Sequence, residues 1–177
     1  LIVTGVQTCA LPIYIRAIDW RVTARTGKPH TKLYAEERER PVIILIDQRQ
    51  RMYFGSRAMF KSVMASHCAA LLAWAALERG DRIGGITFSD TKYHEVRAKR
   101  SKHTVLALLE SILEFNRELG NNQPRSQLAL HDMLRILRQT TKPGSELFII
   151  SDFSDFDNDC ENELFHLARH NEIGRAS

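Results

Sequence analysis

Two short stretches of the chain are almost uninterrupted apolar runs, and the segments between them space their apolar residues at helical or strand intervals. Residues 41–47, PVIILID, form a β-branched and aliphatic run ending in a carboxylate, the pattern of a strand buried on both faces of a parallel sheet. ELFIISD, residues 146–152, repeats that pattern and again ends on aspartate. QRQRMYFGS forms a loop after the first run. Residues 57–79 then carry Met59, Phe60, Val63, Met64, Cys68, Leu71, Leu72, Ala75 and Leu77 near helical spacing and stop at Gly80, as a helix C-terminus does. Residues 80–90, GDRIGGITFSD, read as a short strand, and TKYHEVRAKR as a polar edge strand paired to it in a hairpin. Ser101 begins a second helix through Val105, Leu108, Leu109, Ile112, Leu113 and Phe115, which breaks at residues 119–122. Ser126 is the expected cap of a third, with Leu128, Leu130, Leu134, Ile136 and Leu137 inside and Lys142-Pro143-Gly144 at its end. The acid-rich SDFSDFDNDCENE leads into a last, interrupted helix.

Strands alternating with helices, two of them fully apolar, predict an open, mostly parallel α/β sheet with helices on both faces. In such sheets ligands sit in the crevice outside the carboxyl ends of the strands. Asp47 and Asp152 both fall at that edge. Converging strand-end aspartates suit a hard cation such as Mg²⁺, which prefers oxygen ligands; without further ligands each reads better as the cap of the helix that follows it.

Composition sets bounds around this picture. The 177 residues, 44% apolar and 26% charged, describe one soluble globular domain. No apolar run approaches the roughly 20 residues of a membrane-spanning helix. Cys9, Cys68 and Cys160 share no metal-ligand spacing, and an odd count does not build a disulfide framework, so a reducing, cytoplasmic setting is expected. The formal charge of +4 is too mild to mark a nucleic-acid binder. Residues 14–40 hold seven Lys or Arg against four acids and show no sustained periodicity, a basic and partly extended lead-in with a turn at Lys28-Pro29. Residues 1–13, with VTGVQTCALPI, and 172–177, EIGRAS, resemble the translation of sequencing adapters and are set aside as artefacts. On that reading the folded part is residues 41–171 and is truncated on its C-terminal side. ELFIISD is then an exposed apolar edge strand prone to aggregation.

Two motifs carry a family resemblance. IDWxxxAR at Ile18 to Arg25 and KxYxxER at Lys32 to Arg38, followed by the PVIILID and GDRIGGITFSD strands, resemble the bacterial domain of unknown function 58 family, whose core is von Willebrand factor A-like. The resemblance implies a metal-ion-dependent adhesion site with a DxSxS loop after the first strand, a later Thr and a second Asp. Asp47 stands at the first of these positions, Asp152 at the last, and Ser126 can replace the Thr. Arg49 and Arg51 stand where the two loop serines belong, and guanidinium has no lone pair for a metal. The expectation is therefore a remnant site of Asp47, Ser126 and Asp152 without its Mg²⁺, and no cofactor. Two arginines against two aspartates preserve the site's charge balance. Arg49, Arg51, Ser126 and Asp152 are then expected to grip a partner, with an arginine taking the partner's carboxylate in place of the ion. The resemblance further implies association with a MoxR-type AAA+ ATPase or its client protein in chaperone-like or complex-assembly roles, as a non-enzymatic interaction module.

The competing reading is a Mg²⁺- or Mn²⁺-dependent PIN-like nuclease, which needs three or four converging carboxylates. Asp47, Asp152 and Asp155 are its candidates, since Asp81 precedes its strand at the opposite edge. Asp155, Asp157 and Asp159 open like a calcium loop, but Cys160 and His166 occupy the positions that need Gly and Glu. No HExxH pair and no GxxxxGK[ST] loop occurs, and His67 reads as a core or surface imidazole in an apolar helix. RAKRSKH at 97–103 lacks the aromatics that stack bases and reads as a solvated basic face.

Overall fold

The computed structural model describes residues 20–28, 30, 40–55, 59–120 and 128–176. The chain divides into two units, residues 1–38 and 39–177. In the first, α1 (Trp20–Thr26) occupies part of the lead-in that the sequence leaves without periodicity. Two turns are too short to display a face, and none of its residues is buried. Gly27, at a φ of 67°, turns the chain out of it.

Among the described residues the second unit is built on five strands in the order β3-β2-β1-β4-β5. They are β1 (Pro41–Asp47), β2 (Arg82–Phe88), β3 (Tyr93–Lys99), β4 (Glu146–Ile150) and β5 (Glu172–Ala176). β1 pairs in parallel with β2 and with β4, which is why its Val42, Ile44, Leu45 and Ile46 are all buried and its sequence shows no alternation. β2 and β3 form the expected antiparallel hairpin.

Among the described residues four α-helices cover the sheet: α2 (Lys61–Arg79), α3 (Lys102–Glu118), α4 (Leu130–Thr140) and α5 (Asn158–Ala168). α2 and α3 close one core with Ile44, Ile46 and Ile83, and α4 and α5 close the other with Leu45, Ile86 and Leu147. α2 starts at Lys61, later than its apolar pattern suggests, and lays Ala65, Ala69, Ala73 and Ala76 on the sheet. Met64, Leu71 and Trp74 are left exposed. Gly80 closes it in the left-handed conformation, as read from the sequence. Ser101 caps α3 by accepting from the His103 amide. β2 admits α3 closely because it carries Gly85; a Cβ there would stand 2.8 Å from Leu108 Cδ1 and 2.7 Å from the Ile44 carbonyl.

Three expectations are corrected. Ser126 lies outside the described residues, and α4 begins at Leu130 with Ala129 at its N-cap. The last helix is continuous through Ala168, because Asp157 caps it by accepting from the Cys160 amide. β4 is not an edge strand: β5 pairs with it in parallel from Glu146–Glu172 to Ile150–Ala176.

Candidate functional site

β1 stands where the strand order reverses, with β2 reached through α2 on one side and β4 on the other. The carboxyl ends of β1 and β4 therefore open onto the crevice that this topology creates. Asp47, the last residue of β1, is fully buried there. Its Oδ1 accepts from the Arg49 amide and Nε, both at 3.0 Å, and its Oδ2 accepts from Arg49 Nη2 at 2.6 Å and Ser151 Oγ at 2.7 Å.

Arg49 is the largest fully buried side chain of the described residues. Nη2 also donates to Asp155 Oδ1 at 3.0 Å, and Nη1 donates to Asp155 Oδ2 and to the Leu128 carbonyl. The guanidinium carbon lies 5.0 Å from the centre of the Phe88 ring. Burial alone would lower the arginine's pKa, but hydrogen bonds to Asp47 and Asp155 outweigh it and raise it above its ordinary value. Burial likewise works to raise Asp155, and the bonds and charge of Arg49 hold it below the usual carboxylate range instead. The Leu130 amide, at the start of α4, donates to the same Asp155 carboxylate at 3.1 Å.

The rim is assembled from neighbouring loops. Arg51 Nη1 reaches Asp155 Oδ1 at 3.0 Å and Ser154 Oγ at 2.9 Å while remaining partly exposed. Asp90, after β2, accepts from the Gln50 amide at 2.6 Å, and its carbonyl accepts from the Leu128 amide. Gln48 is buried and ties α2 to α3, donating to the Ser62 carbonyl and accepting from Asn116.

Of the residues expected in the site, Asp47 and Arg49 come together and Arg51 joins them through Asp155. Asp152 does not. It accepts from the Ser154 amide and hydroxyl and pairs with Lys61 at 3.3 Å. Burial works to raise its pKa, and these partners lower it on balance. The position of Ser126 lies outside the described residues. Arg49 as a partner-binding group is corrected: its N–H groups are committed inside the protein and its side chain is inaccessible. The nuclease cluster is corrected as well, since Asp47 and Asp155 converge on a guanidinium and Asp152 turns away. Asp81 pairs with Arg79. Asp157 and Asp159 are the cap and the first turn of α5, so the acid run is divided between two jobs. Ser151 and Asp90 escaped the sequence reading. A buried arginine two residues after a strand-end aspartate calls for a second anion, and that was the available pointer to Asp155.

A divalent ion does not fit the pocket between Asp47 and Asp155. Both oxygens of each carboxylate already accept from a cationic side chain, and an Mg²⁺ there would face a buried guanidinium within hydrogen-bond reach of its own ligands.

Beside this cluster lies an open groove of about 360 Å³ lined by Met52, Phe54, Met59, Phe60, Met64 and Ile150, among others. Lys61 and Asp152 stand on its rim. Tyr53 stacks on Phe60 with ring centres 4.6 Å apart, which leaves Phe54 largely exposed at the mouth.

An open α/β sheet with a strand-end polar cluster at its switch point is the class of domain that these features define. The chain matches the family described as Protein of unknown function DUF58 over residues 14–174 and belongs to it. The uncharacterized proteins Rv1480 of Mycobacterium tuberculosis and Mb1516 of Mycobacterium bovis are each 26% identical over 139 residues, which is 78% of this chain and 43% of theirs. The chain thus spans less than half the length of the curated relatives it matches. Among solved structures, the conserved hypothetical protein BatB from Bacteroides thetaiotaomicron superposes with a TM-score of 0.58 at 14% identity, over 77% of this chain and 65% of its own. Proximal thread matrix protein 1 from the mussel byssus gives 0.53 at 12% identity, over 77% and 36%. A von Willebrand factor type A protein from Catenulispora acidiphila gives 0.49 at 14%, over 77% and 32%. At these identities the likeness is one of fold. No described helix is long and apolar enough to cross a membrane.

Proposed function

We propose that this domain is a protein-interaction module whose adhesion site works without an ion, Arg49 standing in the place that a metal would take. The observation that carries the reading is the complete burial of Arg49 between Asp47 and Asp155. A cation that is covalently part of the chain cannot be lost to a chelator, and it locks the loops after β1 and β4 in one arrangement. The contact with a partner then falls to the groups that stay accessible. Arg51 can share its guanidinium between Asp155 and a partner's carboxylate, and the Phe54, Met59, Phe60 and Met64 groove offers apolar area beside it. The partner we assign is a MoxR-type AAA+ ATPase acting on the cytoplasmic side, with its client protein as the alternative, in chaperone-like or complex-assembly work. The resemblance of the IDWxxxAR and KxYxxER segments supports that assignment.

The test is binding of the full-length protein to a MoxR-type AAA+ ATPase, measured with and without EDTA. Binding should be equal in both conditions, and Arg51→Ser or Phe54→Ser should each weaken it by tenfold or more while leaving the fold intact. Binding that disappears in EDTA and returns with Mg²⁺ would overturn the reading.

A further inference from the structure

We propose that His131, Asp157 and Cys160 form a zinc site that pins the first turn of α4 to the first turn of α5. The inference is independent of the partner assignment. α4 and α5 pack together on one face of the sheet, which brings His131, one residue into α4, against the capping turn of α5. The ligand atoms of the three side chains all lie within 4.8 Å of one another, and His131 Nδ1 is 3.2 Å from Asp157 Oδ2. Three atoms so spaced have a common point no more than about 2.8 Å from each, against zinc bonds of roughly 2.0–2.3 Å. Closure therefore asks for up to about 0.8 Å of movement at the nitrogen and oxygen ligands. The exposed Asp157 carboxylate and the partly exposed His131 ring can supply it, while Cys160 stays fixed in the core.

Two further features bear on the site. The second ring nitrogen of His131, Nε2, lies 3.5 Å from Asp132 Oδ1. A carboxylate behind a ligating imidazole is the usual outer partner of a histidine on zinc, because it fixes the tautomer and raises the basicity of the ligating nitrogen. With the Nε2 proton directed at Asp132, the Nδ1 lone pair faces the Asp157 carboxylate at 3.2 Å and is free to ligate an ion there; with the proton on Nδ1 the ring donates to Asp157 instead. The second feature is Cys160. Its side chain is completely buried, and its thiol faces the Asp157 carboxylate and the Asp155 carbonyl, the latter at 3.9 Å. Burial first, and then the neighbouring carboxylates, push that thiol up to about 12, so without a metal it is an inert thiol.

The donor set of one nitrogen, one oxygen and one sulfur suits zinc and excludes magnesium and calcium. On binding, Zn²⁺ replaces the thiol proton, which leaves to solvent. His131 ligates as the neutral imidazole, Asp157 through Oδ2, and water takes the fourth position. The resulting cluster is neutral, +2 from the ion against one thiolate and one carboxylate. Asp157 Oδ1 keeps its bond to the Cys160 amide at 2.7 Å, so capping and coordination do not compete.

The experiment uses the chain stripped with chelator and titrated with Zn²⁺ by calorimetry and with Co²⁺ by absorption. One ion should bind per chain at micromolar affinity, with one proton released and a sulfur-to-cobalt charge-transfer band. Cys160→Ser should abolish the band, whereas Cys68→Ser and Cys9→Ser should leave it unchanged. His131→Ala should lower the affinity at least tenfold. Asp157→Ser, which keeps a capping hydroxyl for α5, should do the same in a protein whose circular dichroism is unchanged. Asp132→Asn should weaken binding about tenfold. No binding to the folded chain, a band that survives Cys160→Ser, or affinity unaffected by both His131→Ala and Asp157→Ser would each overturn the proposal and leave His131 and Asp157 as a surface ion pair.

Discussion

Replacing Arg49 with alanine leaves the Asp47 carboxylate inside the protein with Ser151 Oγ and one amide as its remaining donors. Breaking one side of a buried pair costs about 3–5 kcal/mol, and urea denaturation should show a loss of that size. Serines at both loop positions, Arg49→Ser with Arg51→Ser, remove the cations and restore hydroxyls at spacing that can serve a metal. That double variant should gain melting temperature in millimolar Mg²⁺, whereas the parent protein should not respond, because an ion that does not bind the native state cannot stabilise it. Asp155 gives the same network a pH dependence. Its pKa is depressed in the folded chain, so its contribution is fully present above the unfolded carboxylate value of about 3.9 and is lost as pH falls through the lower folded value. Melting temperature should therefore hold between neutrality and about pH 5 and fall below about pH 4. Asp155→Asn should shallow that acid limb; an unchanged limb would show that the guanidinium does not need its second carboxylate.

Among the elements, α2 shows most clearly how periodicity misleads. Its large apolar residues form a conspicuous pattern, yet the face laid on the sheet is made of alanines, which let the helix axis approach the strands. Ala69→Leu or Ala73→Leu should overpack that contact and cost about 1–3 kcal/mol. Trp74→Ala, on the exposed side, should change stability by no more than about 0.5 kcal/mol. β5 supplies the other test at this scale. Because it covers β4 through five paired positions, deleting residues 172–177 should expose the apolar ELFII edge and raise aggregation, read by light scattering at equal concentration. Equal solubility of the shortened chain would remove β5 from the account of why β4 is protected.

At the scale of the molecule, much was legible along the chain and some was not. PVIILID reads as a central parallel strand because it is apolar on both faces; ELFIISD has the same pattern, but the sequence left it at the sheet edge and only its pairing with β5 makes it central. Gly80 and Ser101 marked helix ends by local chemistry. The GDRIGGITFSD and TKYHEVRAKR pair announced its hairpin by alternation, and Asp47 was found because a strand terminus in a parallel sheet is a fixed address. These features depend on neighbours within one element, and a sequence determines them by itself. The partner of Arg49 is of another kind. Asp152 and Asp155 stand three residues apart in the same acidic loop, and both are plausible mates for a cation near β1. Only the folded loop assigns Asp155 to Arg49 and Asp152 to Lys61. The meeting of His131 with Asp157 and Cys160, 26 residues and more away along the chain, likewise waits on the packing of α4 against α5. The physical reason is common to both cases. Periodicity and capping are local and repeat along the chain, whereas a buried charge takes whichever opposite charge the tertiary contacts bring within hydrogen-bond reach.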